Sequence, residues 1–331
     1  MGNDKTKTFS KNIMQNAARY GVFIIFGIMF IIFALSNEHF FTVKNIFLIL
    51  QQASPLGIGV IGMTFVLVLA SIDISVGRNM FFAATIIAYM SKVNLLRVDM
   101  FEQAWGYILV CLICVAIGIA IGFINGLLYT KFKITPFIVT LATGYILRGF
   151  GLMISGSASP NLTLISKLSN GSVANVPYVL IIFIVVAIIF DFVLRKTPFG
   201  RHLMAIGNSP ESAKKAGIKV ERNTVISFMI CGGLGALGGI LSAGQIGSVP
   251  LSFGEGNEFI IISAAVLGGT SLFGGKGNII PGAVIGIVLI TTIMNGLSMV
   301  NASPYIYTIV RAFIIFLAVM VDSIEHKGEL R

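Results

Sequence analysis

Apolar residues in this chain run on in long unbroken stretches. They neither alternate as in a half-buried strand nor fall on one stripe as in a water-facing helix. About 20 apolar residues in helical form are needed to cross a hydrocarbon layer of about 30 Å, and stretches near that length recur from one end of the sequence to the other. They predict ten crossings, over 20–36, 47–70, 77–91, 104–130, 134–155, 177–194, 223–246, 258–273, 279–299 and 304–322. The third and eighth are short. The fold class expected is an all-α polytopic membrane protein of about ten transmembrane helices.

Two segments interrupt this pattern in opposite halves of the chain: Ala-Ser-Ile-Asp-Ile-Ser-Val-Gly from Ala70 to Gly77, and Gly-Gly-Thr-Ser-Leu-Phe-Gly-Gly-Lys-Gly from Gly268 to Gly277. Each is expected to end or break a helix. Aligning Gly77 with Gly275 sets Asp73 opposite Ser271 and brings the flanking apolar runs into rough register. Two related halves with interrupted helices would read this way, and so would a chance alignment of glycine-rich apolar sequence. Asp73 is the acidic residue set well away from the predicted helix ends. A carboxylate there must face protein, water or a partner, so it is either a ligand on a path through the membrane or the cap of the third helix, taking the free N–H groups that follow it. The glycines at 57, 59, 62, 118, 122, 232, 233, 235, 238 and 239 predict close helix packing.

Composition sharpens the class. Residues of the hydrophobic set make up 56% of the 331 positions and charged residues 11%, with a mean hydropathy of +0.94. That excludes an ordinary water-soluble domain. The net charge of +10 would suggest nucleic acid in a soluble protein, but its placement argues otherwise. With the N-terminus in the cytoplasm, most basic residues fall in cytoplasmic segments: Lys5, Lys7, Lys11 and Arg19, Arg78, Lys131 and Lys133, the 195–222 connection, Lys276, Lys327 and Arg331. Lys44, Lys92, Arg97 and Lys167 fall outside, and Arg148 and Arg311 lie within spans, able to snorkel or to line a path. This asymmetry puts both termini inside. It divides the chain into a cytoplasmic segment 1–19, one membrane domain 20–322 and a cytoplasmic tail 323–331. No small-residue cleavage site follows the first apolar run, so that run is kept as a span rather than a signal peptide. Cys111, Cys114 and Cys231 all lie in apolar runs, with no spacing that suggests a disulfide framework, a metal or redox chemistry.

The polar connection 195–222 holds a candidate helix. Ser209 can cap it, Pro210 and Glu211 suit its first turn, Ser212, Ala213, Lys214, Lys215 and Ala216 continue it, and Gly217 ends it. A helix of two turns in water is marginal alone and is expected to dock, with Ile218 as a compact knob; the plainer reading is a solvated basic loop that fixes topology. Thr64, Asn125, Thr140, Thr143, Ser263 and Asn295 sit in otherwise apolar spans. Each can hydrogen-bond a hydroxyl on a translocation path or simply its own helix backbone.

Together these segments resemble the transmembrane permease subunits of bacterial ATP-binding-cassette importers of the ribose-type sugar family. The likeness is carried by Thr197-Pro-Phe-Gly-Arg201, Ala205-Ile-Gly-Asn208, Ala213-Lys-Lys-Ala-Gly-Ile218, Ala264-Ala-Val-Leu-Gly-Gly-Thr-Ser-Leu-Phe-Gly-Gly-Lys-Gly277 and Ile293-Met-Asn-Gly-Leu297. In the first half it rests on Gly62-Met-Thr64, Ile72-Asp-Ile-Ser-Val-Gly77, Asn125-Gly126, Pro136-Phe-Ile-Val-Thr-Leu141 and Arg148-Gly149. Three positions depart from the pattern: Ala70-Ser71 where a glycine pair is common, Arg78 where a small residue is usual, and Ile260 where an acid often stands.

The resemblance implies a subunit in the bacterial inner membrane, paired with a second permease copy or paralogue, two cytoplasmic ATPase subunits and an extracytoplasmic sugar-binding protein. Ser209–Ile218 would be the coupling helix that meets the ATPase. ATP and Mg would bind the partner ATPase, since this chain has no Gly-x-x-x-x-Gly-Lys-Ser/Thr; no cofactor, metal or enzymatic activity is expected of the chain itself. Relatives of the same architecture carry nucleosides or a signalling furanosyl compound. The rival class is an ion-coupled secondary transporter with Asp73 as its cation site.

Overall fold

The computed structural model describes residues 26–93, 95, 104–156, 159–162 and 165–329. Helix dominates them. In chain order the helices are α1 (Phe26–Ser36), α2 (Val43–Leu67), α3 (Val76–Lys92), α4 (Ala104–Phe132), α5 (Pro136–Ser155), α6 (Ser166–Asn170), α7 (Tyr178–Lys196), α8 (Pro198–Asn208), α9 (Pro210–Lys215), α10 (Val220–Ile246), α11 (Asn257–Leu267), α12 (Val284–Met299) and α13 (Pro304–Glu329), with a π-turn at Ile279–Ala283 ahead of α12. Two short strands, β1 (Ser172–Val173) and β2 (Val176–Pro177), pair antiparallel with Ser172 opposite Pro177.

Among the described residues, seven helices are long and apolar enough to cross a membrane. The shorter α1, α3 and α11 lie at the other three expected spans, but none of them is long enough over the described residues to cross, and α11 stops at Leu267 before the expected end at 273; residues 20–25 of the first span lie outside the described residues. The protein is an all-α polytopic membrane protein. One correction concerns the 195–222 connection, which holds two helices instead of one. Thr197 caps α8 by accepting the Gly200 N–H at 3.4 Å, with Pro198 in the first helical position. The Thr-Pro pair was the local signal for it.

The chain forms two compact units, the described residues up to Ile49 with those from Val288 onward, and Leu50–Ile287. In the first, Asn45 and Asn295 exchange side-chain amide bonds at 3.0 and 3.1 Å, and both are buried. Gly296 admits the Phe33 ring, which a Cβ there would meet at 2.2 Å.

In the second unit, α10 is the central helix. Its most apolar window is 72% buried, against 28% for those of α4, α5 and α7, which face outward. Glycine makes the centre possible, as the sequence predicts: Gly118 of α4 and Gly232 of α10 lie so close that a Cβ on either would come within 2.1 Å of the other's carbonyl oxygen. Inside α2, Pro55 lacks the N–H that would bond the Gln51 carbonyl. The Gln245 side chain supplies that donor at 2.9 Å.

Candidate functional site

The first interruption begins with a tight stop. Ala70 N–H bonds the Leu67 carbonyl at 2.8 Å and Ser71 N–H bonds Val66 at 3.2 Å, the paired bonds of a Schellman cap. Ala70 stands at the left-handed position, with φ of 54°. The chain continues without regular structure to Val76, where α3 starts. Asp73 is buried here, and its Oδ1 accepts the Ser75 backbone N–H at 2.9 Å and the Ser75 hydroxyl at 2.6 Å. Asp73 thus closes a turn on Ser75, the residue before α3, and its side chain bonds none of the free N–H groups of the helix itself. Asn125 of α4 donates to the Ser75 hydroxyl at 2.9 Å, and Thr140 of α5 accepts the Ile74 N–H at 3.1 Å while donating to Pro136. Three of the expected polar residues, Asp73, Asn125 and Thr140, thus meet on one break. Ser71 Oγ, Asn79 Oδ1 and Asn125 Oδ1 are buried with no hydrogen-bond partner among the described residues.

The other expected residues lie elsewhere. Thr64 bonds Val60 of its own helix at 2.9 Å. Thr143 is half-buried on α5, and the buried Ser263 hydroxyl on α11 has no partner among the described residues. Asn295 is engaged with Asn45 in the other unit.

The second interruption starts in the same way. Gly269 N–H bonds Val266 at 2.8 Å and Thr270 N–H bonds Ala265 at 3.0 Å, with Gly269 at φ of +87°. The structural match is thus Ala70 with Gly269, one residue out of step with the register that pairs Gly77 with Gly275. The restart is longer and is organised by Asn278, whose side chain accepts from Gly282 at 3.3 Å and from Arg195 at 2.7 Å. Arg195 also donates to the Ile280 carbonyl and pairs with Asp191 at 2.9 Å.

The two interruptions touch. Gly275 N–H donates to the Val68 carbonyl at 2.9 Å. The end of α8 is seated on that bond: a Cβ on Gly207 would lie 1.9 Å from the Val68 oxygen and 2.4 Å from the Gly275 nitrogen, and a Cβ on Gly275 would meet the Asn208 side chain. Two residues later α9 begins. Ser209 accepts the Ser212 N–H at 3.2 Å, Gly217 (φ +82°) donates to Lys214 and Ile218 to Ala213, both at 3.0 Å. A two-turn helix thus has its ends satisfied locally, and its buried Ala213 faces the protein. Pro210, Glu211, Ser212, Lys214, Lys215, Ala216 and Gly217 are exposed, with Glu211 and Lys215 paired at 2.7 Å. Pro210, Glu211, Lys214 and Ile218 line a groove together with Lys219, Val220, Glu221 and Arg222.

Residues 45–319 match the family described as branched-chain amino acid transport system, permease component. The chain belongs to this family. The permease is 34% identical over 307 residues to the ribose import permease protein of Haemophilus influenzae, covering 91% of this chain and 92% of the relative. It is 34% identical to the galactose/methyl galactoside import permease protein of the same organism, with 98% of each chain covered. It is 35% identical to the D-allose transport system permease protein of Escherichia coli, with 93% of each covered. No solved structure matches.

Two arginines pack inside the second unit in a way the sequence did not reveal. Arg78, which charge placement assigned to a cytoplasmic segment, is nearly buried in the first turn of α3. Its guanidinium lies 4.4 Å from the Tyr145 ring centroid on α5 and 3.7 Å from Glu258 on α11. Arg148 makes the reciprocal contact from α5 to Phe81 of α3, also at 4.4 Å. Arg148 also pairs with Glu255 at 2.8 Å, donates to Phe253 at 3.3 Å and bonds the Leu251 carbonyl. It therefore neither snorkels nor stands alone. Gly77 and Gly254 permit this by letting their backbones meet; a Cβ on Gly254 would lie 2.1 Å from the Gly77 oxygen. The spacing of Arg78 from Phe81 and of Tyr145 from Arg148, three residues in each case, was the available signal.

Proposed function

We propose that the permease is the membrane-spanning subunit of an ATP-driven importer in the bacterial inner membrane. It passes ribose or a related monosaccharide, delivered by an extracytoplasmic binding protein, between itself and a second permease copy or paralogue. Residues 20–322 act as one translocating domain, and the tail 323–331 and segment 1–19 lie in the cytoplasm with α9. ATP and Mg bind separate ATPase subunits docked on α9, with Ser209–Ile218 as the coupling element. The names of the relatives, which match nearly end to end, support the substrate class.

The observation that carries the coupling is the seat of Gly207 on the bond between the two interruptions. A push on α9 reaches α8 directly. From Gly207 it passes to the Val68 carbonyl and the Gly275 amide, and so to both breaks at once. Shifting the first break moves the Asp73–Ser75 turn, and with it the unpartnered polar atoms of Ser71, Asn79 and Asn125, which can then serve sugar hydroxyls. A neutral polyol needs such scattered donors and acceptors more than an ion pair. The relatives' names, all permeases of sugar import or transport systems, do not favour an ion-coupled mechanism with Asp73 as its cation site.

Uptake into vesicles tests the proposal. Orthovanadate should abolish D-ribose uptake with the membrane potential intact, and an ionophore alone should leave it in place. Collapse with the ionophore and indifference to vanadate would refute it.

A further inference from the structure

The Arg78–Glu258 pair is looser than a hydrogen bond allows. Nη1 and Oε1 stand 3.7 Å apart, beyond the 2.7–2.9 Å of a charge-assisted bond. The side chains are only 13% and 4% exposed, yet Arg78 Nη1 and Glu258 Oε2 have no hydrogen-bond partner among the described residues. Buried charged groups rarely leave such capacity unused, because each unpaired donor or acceptor costs stability. Beside them, the Tyr145 ring is 61% exposed. One turn further along the same face of α5, a Cβ on Gly149 would meet nothing within 4 Å.

A guanidinium is costly against hydrocarbon and is found facing a protein interior or water, and Arg78, in the first turn of α3, is turned inward against α5 and α11. The cluster does not suit an anion, since Arg78 is balanced by Glu258 and Arg148 by Glu255. A donor and an acceptor left open together, beside an accessible aromatic face, match a ligand whose neighbouring groups both give and accept hydrogen bonds and whose C–H edge can stack. We propose that Arg78, Glu258 and Tyr145 form a station for an uncharged sugar on the translocation path, with Arg78 setting selectivity among sugars. This rests on the importer reading above, and goes beyond it by placing a further station, and the selectivity among sugars, where α3, α5 and α11 meet.

The test uses the complete importer, with its ATPase and binding protein, in proteoliposomes supplied with D-ribose, D-allose or D-galactose. Uptake per ATP hydrolysed should fall about tenfold in Arg78→Gln and Tyr145→Leu and stay within about twofold in Tyr145→Phe, which keeps the ring. The ratio of D-ribose to D-allose uptake should change in Arg78→Gln, an effect a merely structural role would not produce. Where Arg78→Gln fails to insert, Arg78→Lys replaces it, because it keeps the charge and loses the planar fork. Independently, Gly149→Cys in a Cys111→Ala background should react with a charged, water-soluble methanethiosulfonate, and D-ribose should slow that reaction during turnover. Unaltered sugar ratios in the Arg78 variant, equal losses in Tyr145→Leu and Tyr145→Phe, or reaction of the thiol introduced by Gly149→Cys with membrane-soluble reagents alone would each overturn the station. Absence of ATP-dependent uptake by the unmodified importer would instead sink the importer reading.

Discussion

The interruptions after α2 and after α11 stop their helices with the same pair of backbone bonds but restart the chain differently. After Ala70 the restart is short and polar, with Asp73 bonded to Ser75 and Ser75 to Asn125. After Gly269 it is longer, and Asn278 and Arg195 fix it from the side. The first break therefore holds the polar groups, while the second holds the backbone amide that binds it to the first and to α8. A common stopping device thus precedes two different restarts, one built around buried polar side chains and one around a backbone amide that meets the other break and lies against the end of α8. Chemistry and transmission can then be perturbed separately.

The largest effect is expected where the breaks meet. Gly207→Val would force the end of α8 away from Val68 and Gly275, where even a Cβ has no room; overpacking of this kind costs about 1–3 kcal/mol or more. Uptake should be lost while the chain still inserts and the ATPase still turns over, as measured by ATP hydrolysed per sugar imported. Uptake at the unmodified level would show that the breaks do not receive motion through α8. Gly217→Leu acts one step earlier. Its φ of +82° makes a side chain cost about 1–2 kcal/mol, so α9 should fray, and uptake should fall several-fold with hydrolysis retained.

Asp73 separates the two uses of the first break. Asp73→Asn keeps an oxygen for Ser75, whereas Asp73→Ala leaves the Ser75 N–H and hydroxyl in a buried site, at about 1–3 kcal/mol. Near-normal uptake is expected for the amide and a marked loss for alanine. Uptake abolished equally in both would mean that the charge itself is needed, and the ion-coupled reading would gain.

Much of this was legible in the sequence because it is local. Apolar run length gave the helices, Ser209-Pro210 and Gly217 gave α9, and the glycines of α4 and α10 gave the close crossing. The Gly207 seat and the Arg78–Tyr145–Glu258 cluster were not, because each joins segments far apart in the chain. A positive charge counted in sequence order carries no sign of the ring and carboxylate it will pack against. The repeat was visible in outline but shifted by one residue, since a glycine pair can be aligned on either member and only the backbone bonds identify the left-handed one.

That shift makes the smallest prediction the most exact one about the comparison. Ala70 occupies a left-handed position at φ of 54°, where its counterpart Gly269 sits without penalty at φ of +87°. For a non-glycine residue that conformation costs on the order of 1–2 kcal/mol. Ala70→Gly should therefore raise the melting temperature of the detergent-solubilised permease, and Gly269→Ala should lower it by a similar amount. Space does not oppose the second exchange, since a Cβ on Gly269 meets nothing within 4 Å. If the two caps are equivalent and act independently, the double exchange should melt close to the unmodified chain, because independent effects add. A double variant no more stable than Gly269→Ala alone would show that the Ala70 turn is held by its contacts with the second break, and that the two stops are not interchangeable.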